Sequence, residues 1–235
     1  MKSSGRSIGV LDLHSGLKDE RKLAMATNMP RVGSLIVEIF RASREMQPSL
    51  AQKWVTASHR AGSRIPESLI SESIQRVGEL DAVCCAIEDE LHLLPPKDGE
   101  MDFRFHYLAF LADLWVGAAY AVCYAFASRK IFPGDQEFDA LAEDLRLVRV
   151  QTEKYEIPSD RKLDAPIEMV TAPGQPGSPR RFRYDKTDPQ RAHIGRIGMS
   201  DRRSPMWEVI DLNTNTMRWL ERRALAERLL DVLAK

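Results

Sequence analysis

A long, almost uncharged stretch in the middle of the chain places the strongest constraint on the fold. The twenty residues from Tyr107 to Phe126 carry one charged side chain, Asp113. A helix over residues 103–131 is apolar on nearly every side, which is typical of a membrane span or of the buried helix of a bundle. An aspartate near the centre of a span costs about 2.5–3.5 kcal/mol, so we expect a soluble bundle and no membrane. Three side chains in the middle of this helix are predicted to be buried: Leu114, Trp115 and Val116.

Several neighbouring segments show helical periodicity. Helices are predicted from Pro48 to about Ala61, from Pro66 to Leu94, from Asp135 to Tyr155 and from Glu221 to Ala234. In the second of these, Asp81 and Glu88 are assigned to the polar face, and in the last, Arg222 is assigned to the exposed face. The apolar run from Val32 to Phe40 fits either a short strand or the start of a buried helix.

The C-terminal third has a different pattern. Prolines and glycines between residues 164 and 179 exclude helices there, and short strands are predicted over residues 167–170, 181–184 and 206–212. The segment Met217–Leu220 fits either a strand or the start of the last helix. The predicted fold is therefore mainly α: a loosely ordered arm (1–29), a helical bundle (30–160), and a basic, partly irregular appendage with short strands and a final helix (161–235).

Charge is divided unevenly along a chain whose formal net charge is zero. Residues 1–65 carry +6, residues 66–160 carry −11 and residues 161–235 carry +5. We expect the basic flanks to pair with the acidic middle, in preference to forming a nucleic-acid footprint, because a phosphate-binding domain usually has a basic excess overall.

Cysteine use and the N-terminal sequence favour a reducing compartment. Cys84, Cys85 and Cys123 fit neither a zinc motif nor a disulfide framework, and the first thirty residues contain no apolar run typical of a signal peptide. We therefore predict a cytoplasmic protein. The five histidines show no metal-ligand spacing, and the sequences GxxxxGK[ST], GxGxxG and GxSxG are absent, so neither a metal nor a cofactor is expected.

The end of the third long helix, Leu145 to Glu156, contains Arg149 and, six positions later, Tyr155. With the two apolar helices before it, this segment resembles the HEPN superfamily, whose helical bundles carry an Arg-x4-6-His motif late in the bundle. The resemblance implies a bundle that dimerises through its helices and binds nucleotide or RNA. Tyr155 stands where the family has histidine, so the usual metal-independent RNase mechanism lacks its general acid or base. The residues alone, without the family resemblance, predict that Arg149 and Glu153 form an ordinary i, i+4 surface pair.

Asp113 is a second candidate, because a carboxylate inside an apolar helix needs a partner or takes up a proton more readily. Its expected partner is Arg146, Arg149 or His106, in either a structural ion pair or a catalytic arrangement.

A basic segment is the third candidate, since arginines contact phosphate and the interleaved Phe182 and Tyr184 could stack on bases. The alternative is a solvated loop that docks on the acidic helices. The candidate nucleic-acid-binding residues are Arg180, Arg181, Arg183, Arg191, His193, Arg196, Arg202 and Arg203.

Two functions follow from these patterns. The first is a helical interaction or regulatory protein that acts by binding, as an HEPN-like component of a bacterial defence or toxin system, with a second copy or another protein on its helical faces. The alternative is a nucleic-acid-processing enzyme, a metal-independent RNase that uses Arg149 and Tyr155.

Overall fold

The structure is a computed structural model that describes residues 31–95, 102–170, 177 and 180–235. Residues 40–235 form one compact unit, and the described residues 31–39 belong to a second unit. The arm predicted over residues 1–29 lies outside the described residues.

Helices dominate the described chain, which confirms the mainly α fold. In chain order the six α-helices are α1 (Val32–Met46), α2 (Pro48–Gly62), α3 (Ile70–Leu93), α4 (Phe103–Ser128), α5 (Gln136–Glu153) and α6 (Arg222–Ala234). The ambiguous run after Val32 is therefore helical. The helix predicted from Pro66 begins only at Ile70, because Glu67 adopts a left-handed backbone conformation (φ 59°) that an α-helix cannot contain.

Local capping explains where two of the long helices begin. The carboxylate of Asp102 accepts a hydrogen bond from the backbone N–H of Arg104 at 2.9 Å, and Asp135 caps α5 by accepting from Glu137 and Phe138. Each satisfies a donor that the first turn of a helix leaves unpaired. The α5 helix ends before Tyr155, which has a left-handed φ of 55°.

Two small antiparallel sheets form the appendage. Strands β1 (Ile167–Val170) and β2 (Arg181–Tyr184) pair with each other, and β3 (Ile197–Met199), β4 (Pro205–Asp211) and β5 (Thr216–Glu221) form the second sheet in that order. Buried and partly buried residues alternate along β4, as expected for a strand with one face on the core. The undecided segment Met217–Leu220 is a strand, since Met217 pairs with Ile210 and Leu220 with Trp207.

The core joins the bundle to the second sheet. Helix α4 packs against α3 and α5 and also contacts α6 and β4, while α6 packs against α2 and α5. Large side chains of α2, α4 and β4 share one buried cluster: Trp54, Trp115 and Trp207. Helices α2 and α3 approach closely at Gly78, where an added Cβ would lie 2.4 Å from Cγ of Trp54. Glycine is required there by space.

The burial of four residues departs from the sequence predictions. Trp115 and Val116 are fully buried as predicted, but Leu114 is 50% exposed. The charged side chains assigned to exposed faces, Asp81, Glu88 and Arg222, are instead fully buried. They pair with one another, and this pairing compensates for their burial.

Within the described ranges, one helix is long and apolar enough to cross a membrane by length and composition, and this helix is α4. Its most apolar 18-residue window is 39% buried inside the protein.

Candidate functional site

A stripe of exposed apolar side chains runs along α4, and large apolar side chains are also exposed on α1 (Val32, Leu35, Val37 and Ile39). The stripe on α4 consists of residues 103, 107, 110, 114, 117, 121, 124 and 128, which follow one another in steps of four and three and which we call the α4 face. Five of its side chains are large and exposed: Phe103 57%, Tyr107 61%, Phe110 58%, Leu114 50% and Tyr124 63%. Between the last two lie Gly117 and Ala121. Steps of four and three place these residues on one side of a helix, opposite the buried Trp115 and Ala119.

A buried ionic cluster lies among α3, α4 and α6. Arg222 of α6 is fully buried, pairs with Asp81 of α3 and donates from Nε to Glu88 Oε1 at 2.8 Å. Trp54 Nε1 donates to the second oxygen of Asp81 at 2.8 Å. The Arg222 guanidinium carbon lies 5.7 Å from the ring centroid of Trp115 on α4, within cation–π range.

Charge in this cluster is balanced by a second arginine. Arg223, 26% exposed at its side chain, lies 3.6 Å from Glu88 and 3.3 Å from Asp89. The pKa of Arg222 stays well above its usual value, because the nearby carboxylates of Asp81 and Glu88 outweigh the opposing effect of burial. The cluster therefore fastens α6 to α3 behind the buried side of α4.

The sequence contains a signal for this cluster that the pattern analysis missed. Buried positions of α3 recur in steps of three and four, and the two carboxylates belong to that series: Ile74, Val77, Asp81, Cys84, Glu88 and Leu91. An acid inside such a series must find a buried cation, although the sequence does not say which one.

The two residues of the HEPN-like motif are not brought into contact with each other. The Arg149 guanidinium pairs with Glu153 at 2.8 Å and lies 4.8 Å from the ring centroid of Tyr120. Tyr155 is exposed, and its backbone oxygen accepts a hydrogen bond from the N–H of His193 at 2.7 Å. The predicted i, i+4 pair of Arg149 and Glu153 is thus present, and the fold brings a histidine backbone to Tyr155.

The predicted ion pair of Asp113 is corrected by the structure. Its carboxylate accepts a hydrogen bond from Trp207 Nε1 at 2.9 Å. Arg146 pairs instead with Glu143 at 2.7 Å, Arg149 pairs with Glu153, and His106 stacks edge-on with the next residue, Tyr107. Burial raises the pKa of Asp113, and the indole hydrogen bond only partly offsets this. An indole N–H suffices here because it satisfies one carboxylate oxygen without adding a buried charge.

Two buried polar side chains lie near the end of α5 in the described chain. Both ring nitrogens of His193 and the Oε1 atom of Gln151 are buried without a hydrogen-bond partner. Gln151 packs on Gly195, where an added Cβ would be 2.4 Å from its Nε2, and His193 meets Tyr184 edge-on with ring centroids 6.4 Å apart. Burial lowers the pKa of His193, so the imidazole is neutral at pH 7.

The arginines of the basic segment are largely engaged with carboxylates. Arg191 pairs with Glu156 (3.1 Å) and Asp160 (2.8 Å), Arg196 with Glu208 (2.5 Å), Arg202 with Glu221 (2.5 Å) and Glu227 (2.8 Å), and Arg183 with Asp185 (3.6 Å). Arg181 is the first residue of β2 and Arg180 directly precedes it, whereas Arg203 lies in the turn between β3 and β4. Most of these pairs are inside the appendage, so the segment does not dock on the acidic helices as a whole.

The C-terminal basic flank does pair with the acidic helices. Arg218 and Arg228 both contact Asp144 of α5, and Lys235 contacts Asp135 at 2.6 Å. Together with Arg222, these pairs show that basic side chains at the C-terminal end of the 161–235 flank contact the acidic middle of the chain, as expected.

A groove of about 820 Å³ lies between α2 and α6. Cations of α2 (Lys53 and Arg60) face carboxylates of α6 (Glu227 and Asp231) across a floor that includes Leu230. The groove carries both signs of charge and so has no evident preference for a charged ligand. Among the described residues, no group of three or more histidine, cysteine or acidic side chains is arranged to hold a metal ion.

No known protein family, curated protein or solved structure matches this chain. Fold and surface therefore define its class only broadly: a mainly α-helical protein with a small antiparallel appendage.

Proposed function

We propose that this protein acts by binding, as a cytoplasmic interaction or regulatory protein whose contact surface is the α4 face. The observation that carries the proposal is the row of five large apolar side chains at least half exposed on one helix. A large aromatic side chain buries about 150–250 Å², so this row exposes roughly 500 Å². The largest apolar patch of a typical monomer is about 300–600 Å² and often functional.

The setting of this function follows from the resemblance to the HEPN superfamily. An HEPN-like bundle that lacks the family's histidine fits a binding component of a bacterial defence or toxin system. The proposal for the α4 face does not depend on this setting, because it rests on the exposed side chains alone.

Photo-crosslinking tests the surface directly. A benzophenone amino acid at Phe110, in the α4 face, should give a covalent adduct of higher mass in cells that express the chain. The same group at Leu69, which is 77% exposed but lies outside this face, serves as the matched control. No adduct at position 110, or equal adducts at both positions, would contradict the proposal.

The alternative function is a metal-independent RNase. One observation favours it: the backbone N–H of His193 donates to the backbone oxygen of Tyr155 at 2.7 Å, so a histidine is close in space to the position of the family's histidine. His193 is only 7% exposed, and a general acid or base must reach its substrate, so we place binding first. Cleavage of labelled RNA that is lost in both Arg149→Ala and Tyr155→Phe would favour the enzyme.

Nucleic-acid binding by the basic segment has its own test. If Arg180, Arg181 and Arg183 contact phosphate, their reversal to Glu should reduce the slope of log K against log salt by about three at most. The exposed pair of Arg183 and Asp185 contributes only about 0.2–1 kcal/mol to stability, so its loss should lower the melting temperature only slightly. Arg76→Glu, on an exposed part of α3, is the control for a single charge reversal outside the segment and should leave the slope almost unchanged. An unaltered salt slope would reject this role.

A further inference from the structure

We infer that the occupant of the α4 face is a second copy of this chain, paired antiparallel along α4 with the two-fold axis between Trp115 and Val116. This inference rests on the proposed function, in which the α4 face is a contact surface. Three properties of the face support it: its spacing, its order of large and small residues, and its area.

The spacing is that of two helices packed along a shared seam. All eight positions of the α4 face, from Phe103 to Ser128, follow the alternating steps of four and three that keep one stripe facing a partner helix. A helix of 26 residues is about 39 Å long. The seam therefore runs through the whole helix, which suits a partner helix of equal length.

The order of large and small residues favours the antiparallel direction. The first half of the α4 face holds only large side chains, and the second half holds Gly117, Ala121 and Ser128 with one large residue, Tyr124. With the axis between residues 115 and 116, every position in the first half faces one in the second. The facing pairs are Leu114 with Gly117, Phe110 with Ala121, Tyr107 with Tyr124 and Phe103 with Ser128.

A parallel pair in register would place like against like. Phe110 would meet Phe110, and Gly117 would meet Gly117, so the seam would be crowded in its first half and loosely packed around residues 117 and 121 in its second half. Both overpacking and voids are unfavourable in a close-packed interface. The antiparallel arrangement contains four different facing pairs, and in three of them a large residue lies opposite a small one.

The area is sufficient for a specific dimer. Five side chains that are 50–63% exposed contribute roughly 100 Å² each. Two copies would thus bury about 1,000 Å² of large apolar side chain, which is the lower bound for a specific interface. The small residues and the flanks of the helix add to this area.

Disulfide trapping distinguishes an antiparallel from a parallel arrangement of the two α4 helices. In the antiparallel register, residue 110 of one copy faces residue 121 of the other, whereas the two residues 110 are about 16 Å apart along the axis. A disulfide needs Cα atoms within about 7 Å. Phe110→Cys co-expressed with Ala121→Cys should therefore form a disulfide dimer, and neither variant should do so alone.

The native cysteines provide a clean background. Cys84, Cys85 and Cys123 are buried, and burial raises the pKa of each thiol to about 12, so they react slowly. Wild-type protein is the control. Dimers from each single variant alone would overturn the antiparallel register, and no dimer from any combination would overturn the second copy as occupant.

Sedimentation equilibrium gives an independent measurement. The wild-type chain should have twice the mass of the chain, and Leu114→Glu should have the mass of one chain, because it places a charge at the centre of the seam. Leu114 is half exposed in the single chain, so the variant can fold, and circular dichroism should be unchanged. Leu69→Glu should remain a dimer.

These outcomes separate the two proposals. One outcome is a monomeric wild type together with a benzophenone adduct at position 110 whose mass is other than twice that of the chain. This result would reject a second copy as the occupant but would keep the α4 face as a contact surface. In a flotation assay, a monomeric wild type that binds phosphatidylcholine vesicles, together with a Leu114→Glu variant that does not, would assign the α4 face to lipid. This result would overturn both proposals.

Discussion

Replacement of Arg222 by methionine tests whether the buried ionic cluster holds the bundle together. The wild-type cluster contains two fully buried carboxylates, Asp81 and Glu88, and two arginines, of which only Arg222 is fully buried. Methionine fills a similar volume but removes the cation that contacts both acids. Loss of one partner of a buried pair typically costs about 3–5 kcal/mol.

The expected effect is large enough to measure by urea unfolding. With an m-value of about 3 kcal/mol/M, a loss of 3–5 kcal/mol lowers the midpoint by roughly 1–1.7 M. Tryptophan fluorescence is a suitable probe, since Trp54 donates to Asp81 and Trp115 lies beside Arg222.

A surface pair provides the matched control. Arg76 pairs with Glu72 at 3.3 Å with both side chains more than half exposed, and exposed pairs are worth about 0.2–1 kcal/mol. Arg76→Met should therefore shift the midpoint by less than about 0.4 M at the same m-value. Equal shifts for Arg222→Met and Arg76→Met would contradict this prediction, because burial would then make no difference to the cost of an unpaired carboxylate.

Three further predictions concern single buried positions. Gly78→Ala should lower the free energy of unfolding by about 1–3 kcal/mol, since its Cβ would lie 2.4 Å from Trp54. Gly33→Ala is the control and should cost nothing, because nothing lies within 4 Å of its added Cβ. Equal urea midpoints for the two variants would contradict this prediction. Burial lowers the pKa of His193, so as pH falls the unfolded chain takes up the proton before the folded chain does, and stability should fall as pH drops below about 6.5. His193→Phe should reduce the dependence of the melting temperature on pH between about pH 7 and 5. An unchanged pH dependence would exclude a contribution of His193. Burial raises the pKa of Asp113, so the contribution of this carboxyl group to stability is present at low pH and is lost as pH rises. Asp113→Asn keeps an acceptor for Trp207 and should therefore match or exceed wild-type stability in urea unfolding at pH 7. A clear loss of stability in Asp113→Asn would contradict this prediction.

Amphipathic helices and short strands were predictable because their signal is local. The periodicity of α3 and the proline and glycine boundaries of the appendage predicted element types correctly, and the remaining errors at helix ends arise at left-handed residues such as Glu67 and Tyr155. No local pattern marks a non-glycine residue for that conformation.

The exposed face of α4 could not be read from its sequence. A helix that is apolar on every side has no polar stripe to mark its outer surface, so Leu114 was predicted to be buried with its neighbours although it is half exposed. Which side faces outward is decided by where α3 and α5 pack on α4. The partner of Asp113 was missed for a related reason: the indole of Trp207 lies 94 residues away and carries no charge.

The ionic cluster also constrains the order in which the chain can complete its fold during synthesis. The carboxylates of Glu88 and Asp81 are 134 and 141 residues ahead of the arginine that neutralises them. At about 5–20 residues per second, some 7–28 seconds pass between the synthesis of the acids and that of Arg222. During this interval α3 cannot bury its acidic positions without cost, so the bundle closes only after α6 has been made, and a nascent chain that stalls before residue 222 should remain open to chaperones and proteases.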